Sequence, residues 1–318
     1  MENKRKICFR ADASAEIGYG HFIRTLALAD MLKDDFECVF YTQSPTEYQR
    51  KEAEKVCKLV ALPADDSRFQ LFLDCLKGDE IVVLDNYFYT TDYQRAVKEK
   101  GCKLVCIDDM HDKHYVADAV VNHGPVTPDE FDCEFYTKLY LGEQYKLLRK
   151  PFLQPLKNKK RNNVAVVNLG GSDPFKLTDK VVSLLLSVKT PYQVTVILGD
   201  TVYLSEENRK HVEVKSRLTA EQMADLFETS AFGILPASTV SIEASSRGLP
   251  LLTGYQVDNQ EEGYLKSVKE GKFIPLGDLH QLTSETMKEA LVKLNNFKPY
   301  HLDYSHVDEN FRELFRTL

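Results

Sequence analysis

A chain of 318 residues with 43% hydrophobic and 28% charged residues holds more core material than one hydrophobic core usually takes, which predicts two domains and excludes a disordered or fibrous habit. The formal net charge of -7 excludes a general nucleic-acid binder, since phosphate-backbone affinity needs clustered Lys and Arg. No apolar run approaches the roughly 20 residues of a membrane helix, so membrane insertion is not expected.

The short basic start, Met1 to Lys6, leads into an apolar stretch that Arg10 and Asp12 break at once, and it does not read as a signal peptide. From there the first half alternates short β-rich runs with helical patterns. Strands are predicted over Ile7–Arg10, Cys38–Thr42, Leu59–Leu62, Ile81–Asp85, Leu104–Asp108, Ala119–Asn122 and Leu139–Gly142, which implies a parallel sheet with crossover helices. Helical spacing is clearest in Ile23, Leu26, Ala27, Leu28 and Met31. Residues 151–163, basic and proline-containing, read as an exposed connection between domains. A second alternating series follows, with strands over Val164–Leu169, Gln193–Leu198, Val212–Lys215, Phe232–Pro236, Leu249–Thr253 and Phe273–Leu276. The expected division is a first Rossmann-like α/β domain over residues 1–150, the linker, a second over 164–296, and a helical tail over 297–318. The seven cysteines, Cys8, Cys38, Cys57, Cys75, Cys102, Cys106 and Cys133, include no CxxC pair and read as reduced thiols of a cytoplasmic protein.

In open parallel sheets ligands bind beyond the carboxyl ends of the strands, so the chemistry is sought in strand-to-helix loops. The first runs Arg10-Ala-Asp-Ala-Ser-Ala-Glu-Ile-Gly-Tyr-Gly-His21. Gly18 and Gly20 let the backbone turn tightly, and His21 falls in the first helical turn, where the helix dipole disfavours positive charge and leaves the ring free to accept a proton. A capping or core-facing histidine is the plain alternative. The second, Leu169-Gly-Gly-Ser-Asp-Pro174, offers Gly170, Gly171 and Ser172 as a phosphate cradle or, more simply, an ordinary turn. It lacks the lysine of a P-loop and the third glycine of a dinucleotide fingerprint, so it gives no support to ATP or NAD. The third, Pro236-Ala-Ser-Thr-Val-Ser-Ile-Glu-Ala244, starts a helix at Ser238 or Thr239, with Glu243 a turn further in for ribose hydroxyls or for solvent. Asp85-Asn86-Tyr87 and Val257-Asp258-Asn259-Gln260 bring amides and a phenol to the edge, where a sugar could be bound. The run Asp108-Asp109-Met-His111-Asp112-Lys-His114 matches no metal spacing and reads as a hydrogen-bonded loop.

These motifs, together with Phe9-Arg10-Ala-Asp12, Ile17-Gly-Tyr-Gly-His-Phe-Ile-Arg24, Val121-Asn122 and Leu147-Leu-Arg149, resemble in order, over nearly the whole chain, the UDP-sugar hydrolase family of pseudaminic acid biosynthesis. The resemblance implies the GT-B fold, two Rossmann-like domains with parallel sheets facing across a cleft, similar to the glycosyltransferase that makes lipid II. It implies a cytoplasmic, metal-independent hydrolase without cofactor, in which His21 activates water against the sugar C1. Tyr87 and Asn259 would lie near the reacting sugar. Gly171, Ser172, Ser238 and Glu243 would hold UDP, and Arg10, Asp12, Gly18, Gly20, Arg24, Asp85, Gly170, Thr239 and Gln260 would complete the binding set. Asn86 stands where the family carries His, which implies a changed sugar preference. A monomer is expected because the cleft forms within one chain. A GT-B glycosyltransferase, a UDP-sugar 2-epimerase and a non-catalytic UDP-sugar binder remain as alternatives.

Overall fold

The computed structural model describes residues 4–13, 18–157, 159–171, 173–199, 201–300 and 304–318, with the side chain of Asn259 outside the description. In chain order the first part comprises β1 (Lys6–Ala11), α1 (Gly20–Leu32), β2 (Glu37–Gln43), α2 (Glu47–Glu54), β3 (Lys58–Leu62), α3 (Ser67–Asp74), β4 (Ile81–Asp85), α4 (Thr91–Glu99), β5 (Lys103–Ile107), β6 (His114–Tyr115), β7 (Ala119–Asn122), β8 (Asp132–Cys133) and β9 (Lys138–Leu141). After α5 (Lys150–Leu153) come β10 (Val164–Val167), α6 (Leu177–Ser187), β11 (Gln193–Leu198), α7 (Glu206–Arg209), β12 (Glu213–Ser216), α8 (Ala220–Thr229), β13 (Phe232–Pro236), α9 (Thr239–Ser246), β14 (Leu251–Tyr255), α10 (Asp258–Lys269), β15 (Ile274–Asp278), α11 (Ser284–Leu294) and α12 (Val307–Arg316).

The strands form a seven-stranded sheet in the order β3-β2-β1-β4-β5-β7-β9, a six-stranded sheet in the order β12-β11-β10-β13-β14-β15, and a small β6-β8 pair that the sequence pattern did not signal. Pairing is parallel throughout. Central strands buried on both faces need continuous apolar runs rather than alternation. Accordingly β4 (IVVLD) and β13 (FGILP) are buried at every position. β14 starts at Leu251, later than expected, because Pro250 has no N–H for the ladder, although its carbonyl still accepts from Gly233 at 2.9 Å.

The chain divides into two compact units, Met1–Lys150 with Tyr304–Leu318, and Pro151–Asp303. Each is a doubly wound α/β unit of Rossmann type, its strand order reversing once, between β1 and β4 in the first and between β10 and β13 in the second. Residues 151–163 are not a free connection. Arg161 donates to the carbonyls of Phe227, Ser230 and Gly248 at 3.0, 2.6 and 2.6 Å, and Arg247 donates to the Gln154 carbonyl at 2.5 Å and pairs with Glu228 at 2.7 Å. The end of α8 and the turn at 247–248 leave carbonyls that a helix cannot satisfy, and the basic segment supplies their donors.

The tail belongs to the first unit. Phe311 and Phe315 of α12 are buried, Phe315 meets Phe36 edge-on at 6.2 Å, and Arg312 Nε donates to the Met31 carbonyl at 3.2 Å. This covering explains why α1 is buried nearly all round rather than along one stripe. Among the described residues no helix is long and apolar enough to cross a membrane.

Candidate functional site

β1 and β4 end side by side, Ala11 level with Asp85, so the loops leaving them open the crevice that a strand-order reversal creates. His21, Arg24 and Thr25 share one face of α1 by their three- and four-residue spacing, and all converge on Asp85. His21 Nδ1 lies 2.7 Å from Asp85 Oδ1; Arg24 donates Nη2 to Oδ1 at 2.6 Å and Nε to Oδ2 at 2.7 Å; Thr25 Oγ1 donates to Oδ2 at 2.6 Å. Asp85 is fully buried. Burial alone would push its carboxyl up, but the Arg24 guanidinium, His21 and their hydrogen bonds outweigh that and hold it far below the usual carboxylate range.

An ionised acceptor at 2.7 Å puts the imidazole proton on Nδ1, so the approach of Arg24 Nη2 to the same nitrogen at 3.1 Å is packing rather than a hydrogen bond. With its proton on Nδ1 the ring has Nε2 as its acceptor nitrogen, and no described residue bonds to it. This is the carboxylate–imidazole pairing that orients a general base. Arg24 also donates Nη1 to Asp109 Oδ2 at 2.8 Å. Burial opposes the ionisation of Asp109 and Arg24 overrides it, so that this carboxyl too is held low. Tyr87, 40% exposed, meets the His21 ring edge-on at 4.7 Å, and its hydroxyl donates to Asp109 Oδ2 at 3.4 Å. It borders the imidazole while facing solvent.

Four expected binding residues are bonded within the fold. Arg10 and Asp12 are fully buried and paired with each other, and Asp12 accepts the Gln43 N–H at 2.7 Å. Arg24 is spent on Asp85 and Asp109, and Asp85 on α1. Apart from Arg10 Nε, which is buried without a partner, the polar atoms of these side chains are bonded inside the fold. Asn86 likewise joins the two strand ends, accepting from the Asp12 N–H at 2.7 Å and donating to the Asp12 carbonyl at 3.3 Å, so its amide is bonded to backbone. Thr25 and Asp109 were absent from the expected set. For Thr25 the signal was present in its i+4 relation to His21; for Asp109 only the sheet order brings it to Arg24. Gly18 adopts φ +80, and an added Cβ at Gly18 or Gly20 would meet nothing within 4 Å. Only Gly18 therefore has a conformational need for glycine.

In the second unit the loops after β10 and β13 again flank the reversal. Gly170 has φ +107, and a Cβ at Gly199 would run into the Gly171 carbonyl, so Gly171 lies directly against the backbone after β11. Asp173 accepts the Leu177 and Thr178 N–H groups at 2.9 and 2.6 Å, which closes the start of α6 to an outside anion. Ser172, expected beside it, lies outside the described residues. α9 is different. Ser238 at its N-cap makes no side-chain cap, no acid stands in its first turn, and Ser238 and Thr239 are partly exposed. Free N–H groups and partial positive charge at such a start suit an anion. Glu243 is buried a turn inside α9. Gln260 accepts from the Gln256 N–H at 3.1 Å, and Gln256 Nε2 donates to the Leu169 carbonyl at 3.2 Å; Gln260 therefore ties its own loop. Asn259 is the second residue of α10.

No protein-family model matches the chain. An uncharacterized protein of Methanocaldococcus jannaschii is 28% identical over 306 residues, covering 88% of this chain, which spans 62% of that protein's length. The UDP-2,4-diacetamido-2,4,6-trideoxy-beta-L-altropyranose hydrolase of Campylobacter jejuni is 25% identical over 84% of this chain and 97% of its own length. The spore coat polysaccharide biosynthesis protein SpsG of Bacillus subtilis is 24% identical over 92% and 89%. Among solved structures, a Staphylococcus aureus MnaA–UDP complex superposes with TM-score 0.66 at 10% identity over 98% of this chain and 96% of its own. Acinetobacter baumannii MurG does so with TM-score 0.62 at 12% identity over 97% and 99%. By fold the chain is a GT-B protein, and the sequences it resembles over more than four fifths of its length include a UDP-sugar hydrolase.

Proposed function

We propose that the chain hydrolyses a UDP-linked sugar, with UDP-2,4-diacetamido-2,4,6-trideoxy-β-L-altropyranose as its substrate and UDP and the free sugar as products. The observation that carries the reading is the buried Asp85–His21 pair, which leaves Nε2 as the open proton acceptor at the carboxyl edge of the first sheet. His21 Nε2 takes a proton from water, the water oxygen attacks C1, the C1–O bond breaks, and UDP leaves. Asp85 holds the tautomer and stabilises the imidazolium that forms; Arg24 and Thr25 hold Asp85. The uncapped start of α9 receives the diphosphate, whose departure its N–H groups assist, and Glu243 serves the ribose. The choice of sugar rests on the similarity to the Campylobacter hydrolase.

The test is phosphorus-31 NMR with this nucleotide sugar in H₂¹⁸O and no acceptor. UDP release with the heavy oxygen on the free sugar is the expected result. The transferase reading uses the same base on an acceptor hydroxyl; a nucleotide sugar that binds but persists until an acceptor is added would replace hydrolysis by transfer.

A further inference from the structure

The edge that carries His21 extends to a second histidine. β4, β5 and β7 lie in sequence in the sheet, and the Asp108 N–H donates to the Val121 carbonyl at 3.0 Å, keeping the loop after β5 level with the end of β7. Asp85, Asp109 and His123 therefore head neighbouring strands, each step being about 5 Å. Leu147 N–H donates to His123 Nδ1 at 3.4 Å, and the His123 carbonyl accepts Lys146 Nζ at 2.5 Å. With Nδ1 as the acceptor, a neutral ring carries its proton on Nε2. Burial lowers the pKa of His123, and the Lys146 and Arg24 cations push the same way against Asp109 and Asp85, bringing it to about 3. Protonation at neutral pH is thereby suppressed. No described residue takes the Nε2 proton.

The two rings thus stand in opposite tautomers, His21 offering an acceptor and His123 a donor. We propose that His123 is a specificity-determining residue whose Nε2–H donates to the carbonyl oxygen of an N-acyl group on the sugar, an inference that rests on the function proposed above. The surroundings select a carbonyl over a hydroxyl. A hydroxyl that accepts from His123 must still place its own proton, and at this edge His21 Nε2 is an open acceptor, the nitrogen that the proposed hydrolysis keeps for water. A carbonyl oxygen brings no proton and fits a donor-rich edge.

Two measurements on the full chain test this. Nitrogen-15 NMR of the unliganded protein should show His123 neutral, with its proton on Nε2, from pH 8 down to pH 5; an imidazolium or an Nδ1–H ring in that range overturns the proposal. Kinetics should then compare the diacetamido nucleotide sugar with an analogue carrying hydroxyl in place of acetamido. His123→Ala should lower kcat/KM on the order of 10- to 100-fold for the diacetamido compound and far less for the analogue. His123→Gln, which keeps an N–H donor, should recover part of the loss, and the Kd for UDP should stay unchanged. Equal losses on both compounds, or no loss, overturn it. If the wild-type chain turns over neither compound, the proposed hydrolysis fails by itself. Calorimetric Kd values for the two nucleotide sugars then decide the His123 assignment on the same criteria.

Discussion

At the scale of single residues, the tautomer of His21 is set by a charge, not by a shape. Asp85→Asn keeps the volume and an acceptor oxygen but removes the anion that fixes the Nδ1 proton and stabilises the imidazolium. We expect kcat to fall on the order of 10²–10⁴-fold with KM and UDP affinity little changed, as for loss of a positioned general base. Steady-state UDP release measures it, and an unaltered kcat removes His21 from the base role. Acid stability separates the two carboxylates from His123. Asp85 and Asp109 have depressed pKa values, so their contribution is full above about pH 4 and is lost as pH falls through the folded values. His123 acts at higher pH. Its pKa is about 3 in the fold and about 6.5 in the unfolded chain. Below about 6.5 the unfolded chain takes up a proton that the folded one refuses, and stability falls with pH until the folded pKa is reached. His123→Gln should therefore lose less stability than the wild type between pH 7 and pH 5, by at most about 2 kcal/mol. Urea unfolding at the two pH values reads the difference, and equal losses mean that the ring is not held neutral.

At the scale of elements, the starts of α6 and α9 are chemically unlike although both follow strands at the reversal of the second sheet. Asp173 fills the first from within, whereas the second stays open. A negative side chain at the start of α9 compensates the helix dipole, by about 0.3–1 kcal/mol, and competes with a bound diphosphate. Thr239→Glu should accordingly raise the Kd for UDP at least 10-fold while leaving thermal stability equal or slightly higher, read by calorimetry and by a melting curve. Unchanged UDP affinity would place the phosphates elsewhere. The opposition of the two effects distinguishes ligand competition from a damaged helix.

At the scale of the whole molecule, the first unit is closed by residues from the far end of the chain. α12 lays Val307, Phe311, Leu314 and Phe315 into buried positions beside α1, so the element that bears His21 is packed from outside by the tail. Phe311→Ala should destabilise the first unit by about 3–5 kcal/mol, the usual cost of truncating a fully buried Phe. Differential scanning calorimetry should show one transition moved down and the transition of the second unit unmoved. A common shift of both would mean that the two units unfold together.

The sequence by itself determined the alternation that makes two parallel sheets, because the apolar periods of buried strands and covering helices are local properties. It also marked the stretches at His21, Gly170–Gly171 and Ser238–Thr239 as turns leading into helices, because glycine conformation and helix starts are written within a few residues. Tertiary structure alone decided which polar side chains remain available. Asp85 is 64 residues from His21 and meets it only because β4 pairs with β1. The sheet also buries Arg10 and Asp12, neighbours two residues apart that looked like ligand contacts, as a closed ion pair. The basic run over 151–163 looked like a solvated connection until Arg161 met the orphan carbonyls after α8. Partner choice between distant charged groups such as His21 and Asp85 depends on strand order, and no local pattern encodes it.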